Sequence, residues 1–128
     1  MNTLSRVLYV EDEPDIQAVA RIALQTVGGF TVQICSSGEE ALREVKAFGP
    51  DLILLDVMMP GMDGPGTLLA LRATPGLEQV PVIFMTAKVQ PSEVAQYKSL
   101  GALDVIPKPF NPMTLAEQVR RIWSANND

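Results

Sequence analysis

Five side chains in this sequence have types suited to holding a cation or a phosphoryl group, and each lies at the end of a short apolar run. Glu11 and Asp12 lie in VEDE, Asp56 in LILLDVMMPGMDG, Thr86 in FMTA and Lys108 in PKPF. Brought to one place, the three carboxylates would repel one another by roughly 1 kcal/mol per pair in water-like surroundings and by about 4 kcal/mol at an intermediate dielectric, for separations of about 4 Å. A chain that collects them needs a cation. The donors are hard oxygens, and the sequence has no histidine and a single cysteine, Cys35. The ion that suits them is Mg2+, which is held by one or two carboxylates and completed by water or phosphate oxygens. A carboxylate such as Asp56 can also attack phosphorus to give an aspartyl phosphate. Mg2+ and the Lys108 ammonium would then neutralise the charge of the incoming group. With no histidine of its own, the chain cannot form a phosphohistidine within itself.

Whether these residues meet depends on the elements that carry them. Residues 6–10 (RVLYV), 30–35 (FTVQIC), 52–56 (LILLD), 80–86 (VPVIFMT) and, more weakly, 104–107 (DVIP) read as strands. Three of the five are continuously apolar, as strands buried on both faces must be. Ile16, Val19, Ala20, Ala23 and Val27 fall on one face of a first helix, and Leu115, Val119, Ile122 and Trp123 on one face of a last. Pro14 and Pro112 suit first helical turns, Ser37 with Glu40 spells a capping box, and Asn111 suits an N-cap. Gly28 or Gly29, Gly49 and Gly101 stand where helices should end. Pro65 and Gly66 crowd the start of the third helix, with Asp63 as a candidate cap, and Asp51 falls in the turn before a strand at the edge away from the site. Strict βα alternation with short connections predicts an α/β fold with a parallel sheet and helices on both faces. In such a sheet all strands end on one edge, where ligands bind. Glu11, Asp12, Asp56, Thr86 and Lys108 are therefore expected together, while Glu13 and Asp15 read as a solvated acidic first turn.

The composition narrows the remaining choices. The chain has 128 residues, 47% of them apolar, enough for one self-sufficient domain over residues 1–128. Ten basic against fifteen acidic residues leave a net charge of −5 without a basic stripe, which argues against direct nucleic-acid binding. LILL and VIFM are far too short for a membrane span. No signal-peptide pattern is present, so a cytoplasmic location is expected.

Together VEDE, LLDVMMPGMDG, MTA and KPF resemble the receiver domain of two-component response regulators, in order and over nearly the whole chain. The resemblance implies a flavodoxin-like doubly wound (βα)5 fold with strand order 2-1-3-4-5, like that of the single-domain chemotaxis regulator. It implies that Asp56 is the phosphoacceptor, that Asp12 binds Mg2+ directly and Glu11 through water, and that the Met58 backbone carbonyl is a further ligand. It also implies that Thr86 and Lys108 contact the phosphoryl group, that Ala87 leaves room for it, and that the Lys108–Pro109 peptide is cis. The donor would be a sensor histidine kinase or a histidine phosphotransfer protein, and output would pass by protein contact to a target the sequence does not name. An aromatic residue common in the family is replaced here by Val105, which removes a tyrosine-type rotamer switch at that position. Met58 and Lys88 would border the path of a hydrolytic water.

Two other readings fit less well. A Mg2+-dependent phosphohydrolase with an aspartate nucleophile would carry a second aspartate two residues after Asp56, where Met58 stands, so a switch rather than a turnover enzyme is expected. A flavin or dinucleotide binder would place a glycine-rich or hydroxyl-rich loop, not acidic residues, after the first strand. The expectation is a stand-alone receiver, the alternative being one excised from a larger regulator.

Overall fold

In the computed structural model, which describes residues 3–126, the apolar runs become the middle of a five-stranded parallel sheet. The strands are β1 (Arg6–Val10), β2 (Thr31–Cys35), β3 (Leu52–Asp56), β4 (Val82–Thr86) and β5 (Asp104–Pro107), in the order β2-β1-β3-β4-β5. Between and after them run α1 (Pro14–Arg21), α2 (Gly38–Phe48), α3 (Gly64–Arg72), α4 (Pro91–Ser99) and α5 (Leu115–Asn126). Every residue of β3 and β4 is buried. Successive side chains point to opposite faces, so Ile53, Leu55 and Phe84 enter one core and Leu52, Leu54 and Met85 the other. Each such aliphatic side chain contributes about 1.5–3 kcal/mol of transfer free energy. The edge strands β2 and β5 are only partly buried.

The first helix departs from the periodicity read in the sequence. After Arg21 it widens into a π-helical stretch, Ile22–Val27, where the Gly28 amide donates to the Ala23 carbonyl at 3.1 Å. The i→i+5 pattern changes the angle per residue. Ala20, Ala23 and Leu24 face the core, whereas Val27, expected on the buried face, is 43% exposed. Val19 is also exposed, at the margin of a groove that it lines with Ile16 and Phe110. Gly28 then passes close under α5. A Cβ there would lie 2.6 Å from Ala116 Cβ and 2.7 Å from the Leu24 carbonyl oxygen.

Other local expectations hold with adjustments. Ser37 Oγ accepts from the Glu40 amide at 3.0 Å, but the Glu40 carboxylate reaches one residue past the cap to the Ser36 amide at 2.6 Å. Asn111 Oδ1 accepts from the Met113 amide at 2.8 Å, capping a turn over residues 112–114 that leads into α5. Asp63 caps α3 by accepting from the Gly66 amide at 2.8 Å, and Pro65 is tolerated because it occupies the first turn. Gly29, Gly49 and Gly101 have positive φ at helix ends. Phe30, Val80 and Pro81 fall just outside the strands expected to hold them; the Phe30 amide instead closes the wide helix by donating to the Leu24 carbonyl. Asp51 does more than occupy a turn: its Oδ2 accepts from the Ser5 and Arg6 amides at 2.9 and 2.8 Å, fastening the start of β1 at the edge opposite the site.

Candidate functional site

The strand order brings the carboxyl ends of β1 and β3 side by side, with β4 and β5 beyond them. Carboxylate oxygens of Glu11, Asp12 and Asp56 all lie within 4.8 Å of one another. Lys108, two strands away from Asp56, reaches across the edge. Its Nζ donates to Glu11 Oε1 at 2.9 Å and to Asp56 Oδ1 at 3.1 Å. Glu11 and Asp56 are 1% and 4% exposed, so these are charge-assisted bonds in a largely desolvated place, stronger than their surface equivalents. The Glu13 amide donates to Glu11 Oε2 at 3.2 Å. Asp12 is half-buried at the mouth.

Burial sets the electrostatics. It pushes the Glu11 carboxyl above its ordinary value, with the Asp56 charge adding to the rise and the Lys108 hydrogen bond opposing it. It likewise pushes Asp56 up, against Lys108 and with Asp12. For Lys108 burial pulls downward, but the hydrogen bonds and charges of Glu11 and Asp56 outweigh it and hold the ammonium above its usual range. One cation thus serves two buried carboxylates beside a third carboxylate. Three hard oxygen donors so arranged fit a small divalent cation such as Mg2+. Tyr9, under this edge on β1, is fully buried, and its hydroxyl has no hydrogen-bond partner among the described residues.

Most of the residues expected at the site are at this edge. Thr86 ends β4, 2% exposed, with its Oγ1 accepting from the Lys88 amide at 3.1 Å. Ala87 is exposed, and the Lys108–Pro109 peptide is cis. The Met58 side chain is 68% exposed beyond Asp56. Val105 lies away from the carboxylates, half-buried and paired with Phe84 of β4. One contributor at this edge was not singled out in the sequence. Gln17 donates from Nε2 to the Glu11 carbonyl at 2.5 Å, holding the turn after β1. Gly64 permits the loop after Asp56 to close, because a Cβ there would lie 2.6 Å from the Asp56 carbonyl oxygen and 2.8 Å from Val57 Cα. The glycine in MDG was visible; its close approach to the Asp56 backbone was not.

Fold and site together define a doubly wound, flavodoxin-like α/β protein whose polar centre lies at the carboxyl edge of its sheet. The chain belongs to the response regulator receiver domain family, whose model matches residues 7–120. It is 37% identical over 129 residues to the DNA-binding response regulator MtrA of Mycolicibacterium smegmatis, covering 100% of this chain and 55% of that protein. It is 38% identical over 133 residues to the transcriptional regulatory protein CpxR of Escherichia coli, covering 98% and 55%. The chain spans about half the length of these curated relatives. Among solved structures it is similar to the chemotaxis response regulator CheY4 of Vibrio cholerae, with a TM-score of 0.85 and 32% identity over 94% of this chain and 99% of that one. As a receiver domain it is a signalling module of the two-component type and not a classical metabolic enzyme. No helix among the described residues is long and apolar enough to cross a membrane.

Proposed function

We propose that Asp56 accepts a phosphoryl group from a sensor histidine kinase or histidine phosphotransfer protein, and that residues 1–128 form a single cytoplasmic receiver that signals by protein contact, without binding nucleic acid directly. The observation that carries this reading is Lys108 bridging the buried Asp56 and Glu11 carboxylates beside Asp12. An Asp56 carboxylate oxygen forms the new bond to phosphorus as the P–N bond of the donor's phosphoimidazole breaks, the nitrogen leaving with the electron pair. Lys108 neutralises charge on the transferred group, and the Thr86 hydroxyl turns to donate to one of its oxygens. Ala87, having no side chain beyond Cβ, leaves space for that oxygen. Glu11, Asp12, Asp56 and the Met58 carbonyl would hold Mg2+, which when bound supplies further charge neutralisation.

Acetyl phosphate with intact-mass detection tests the acceptor: one phosphate on the wild type and none on Asp56→Asn. Phosphate retained by Asp56→Asn would overturn the assignment. Met58 and Lys88 are both exposed and stand two residues after Asp56 and Thr86 respectively, and we assign them a role in slowing hydrolysis of the acyl phosphate. A Met58→Asn, Lys88→Glu double variant is expected to lose phosphate faster; an unchanged rate would sink that assignment.

A further inference from the structure

One helix is attached differently from the rest. Pro91–Ser99 of α4 contains no buried residue, whereas α2, α3 and α5 each bury several, such as Val45, Leu68 and Val119. Its inward contact centres on Tyr97, whose ring meets Phe84 edge-on with centroids 5.2 Å apart and planes at 76°. Phe84 is fully buried on β4, two residues before Thr86, and is paired with Val105 across to β5. Because residue 105 is aliphatic, the aromatic surface over Phe84 comes from the helix and not from the strand. The Tyr97 carbonyl also accepts from the Leu100 and Ala102 amides, each at 3.2 Å, closing the helix onto the turn toward β5. At its other end α4 follows an exposed stretch, residues 87–90, whose Lys88 amide donates to Thr86 Oγ1. These two attachments lead to β4, one to a ring and one to a hydroxyl at the site, while a surface pair, Lys98 Nζ and Asp104 Oδ1 at 3.8 Å, joins the last turn to β5.

We propose that Tyr97 is a latch that holds α4 in its resting position and thereby opposes occupancy of the phosphoacceptor site. The proposal rests on the reading that Thr86 turns toward a phosphoryl group at Asp56. When it does, Oγ1 leaves the Lys88 amide, and residues 87–90 and the start of α4 follow. The Phe84–Tyr97 contact belongs to the resting arrangement and resists that movement. Whatever stabilises the resting form weakens binding of the ligand that selects the other form, and by the same factor. For one edge-to-face aromatic pair that factor is about 2- to 10-fold.

The test is a titration of wild type, Tyr97→Leu and Tyr97→Phe with beryllofluoride, a phosphoryl mimic, in the presence of Mg2+, with melting temperatures measured alongside. Tyr97→Leu is expected to bind about 2- to 10-fold more tightly although it melts lower, and Tyr97→Phe, which keeps the ring, to match the wild type. A purely structural residue would lower the melting temperature with affinity unchanged or weaker, and that result overturns the latch. Without ligand, amide exchange across Pro91–Ser99 is expected to quicken in Tyr97→Leu while β4 stays protected. Unaltered exchange in α4 would also overturn it. Tyr97→Met serves the same comparisons if the leucine variant does not fold. A wild type that binds no beryllofluoride would instead refute the phosphoacceptor reading, leaving the exchange measurement to judge the latch.

Discussion

β3 and α4 lie on either side of Thr86 in the route from Asp56 to the surface, and they are held in opposite ways. β3 is buried at every residue, lies between β1 and β4, and is followed by a loop whose Gly64 amide donates back to the Val57 carbonyl at 2.9 Å. α4 buries no residue; it meets β4 through the Tyr97–Phe84 ring contact and β5 through the surface Lys98–Asp104 pair at 3.8 Å, and the stretch before it bonds the Thr86 hydroxyl. A nucleophile has to be held within a fraction of an ångström of its working position, whereas an element that reports a change must move at small cost. The chain fits the roles proposed for both by placing the carboxylate on a fully buried strand and leaving its least enclosed helix near Thr86.

The contrast can be broken or sharpened by experiment. Leu54→Ala in β3 is expected to cost about 2–5 kcal/mol in urea unfolding, and Val94→Ala in α4 about 1 kcal/mol or less. Equal costs would erase the distinction. Lys108→Met removes the cation shared by two buried carboxylates and is expected to cost about 3 kcal/mol in metal-free buffer at neutral pH. Part of that loss should return toward pH 5, as Glu11 and Asp56, already pushed upward by burial, take up protons; a cost independent of pH would mean that the carboxylates are not the groups left stranded. Mg2+ at tenfold excess over its Kd is expected to stabilise the wild type by about 1.4 kcal/mol and to do nothing for Asp12→Asn. A melting curve indifferent to Mg2+ would remove the cation from the account.

The smallest expected effect is a slope with pH. Glu11 and Asp56 have folded-state pKa values raised above their ordinary 4.5 and 3.8. The folded chain therefore binds protons more readily than the unfolded one, and the stability this contributes at low pH is lost as pH rises through the raised values. Lys108, also raised, contributes below its ordinary 10.5 and loses that contribution only in alkali. Metal-free wild type should accordingly lose stability, relative to Glu11→Gln, as pH rises above the ordinary carboxylate range, where the substituted residue does not titrate. Parallel curves for the two proteins would contradict the burial argument.

Much of this arrangement was legible in the sequence because it follows from short-range rules. Leu52–Leu55 and Val82–Met85 read as doubly buried strands since both of their faces are apolar, and a parallel sheet puts Asp56 and Thr86 on the same edge as Glu11. Lys108 could be placed at that edge but not paired, because its hydrogen bond to Glu11 spans 97 residues. The π-helical stretch escaped since Ile22–Val27 contains no residue that marks i→i+5 bonding, and a helix read at 100° per residue puts Val27 on the wrong face. Asp51 escaped for a similar reason, because its amide partners, Ser5 and Arg6, lie more than forty residues away.

Gly64 shows how a residue without a side chain can govern reactivity. Any Cβ there would press on the carbonyl of Asp56 itself, so even alanine must displace the Asp56 backbone or open the loop beyond it. With Asp56 as the proposed acceptor, this position is expected to rank beside it in a saturation-mutagenesis map scored by phosphate uptake, while contributing no atom to the reaction. A chemist reading such a map would look for a missing functional group, whereas the cause is a clearance of less than one methyl radius.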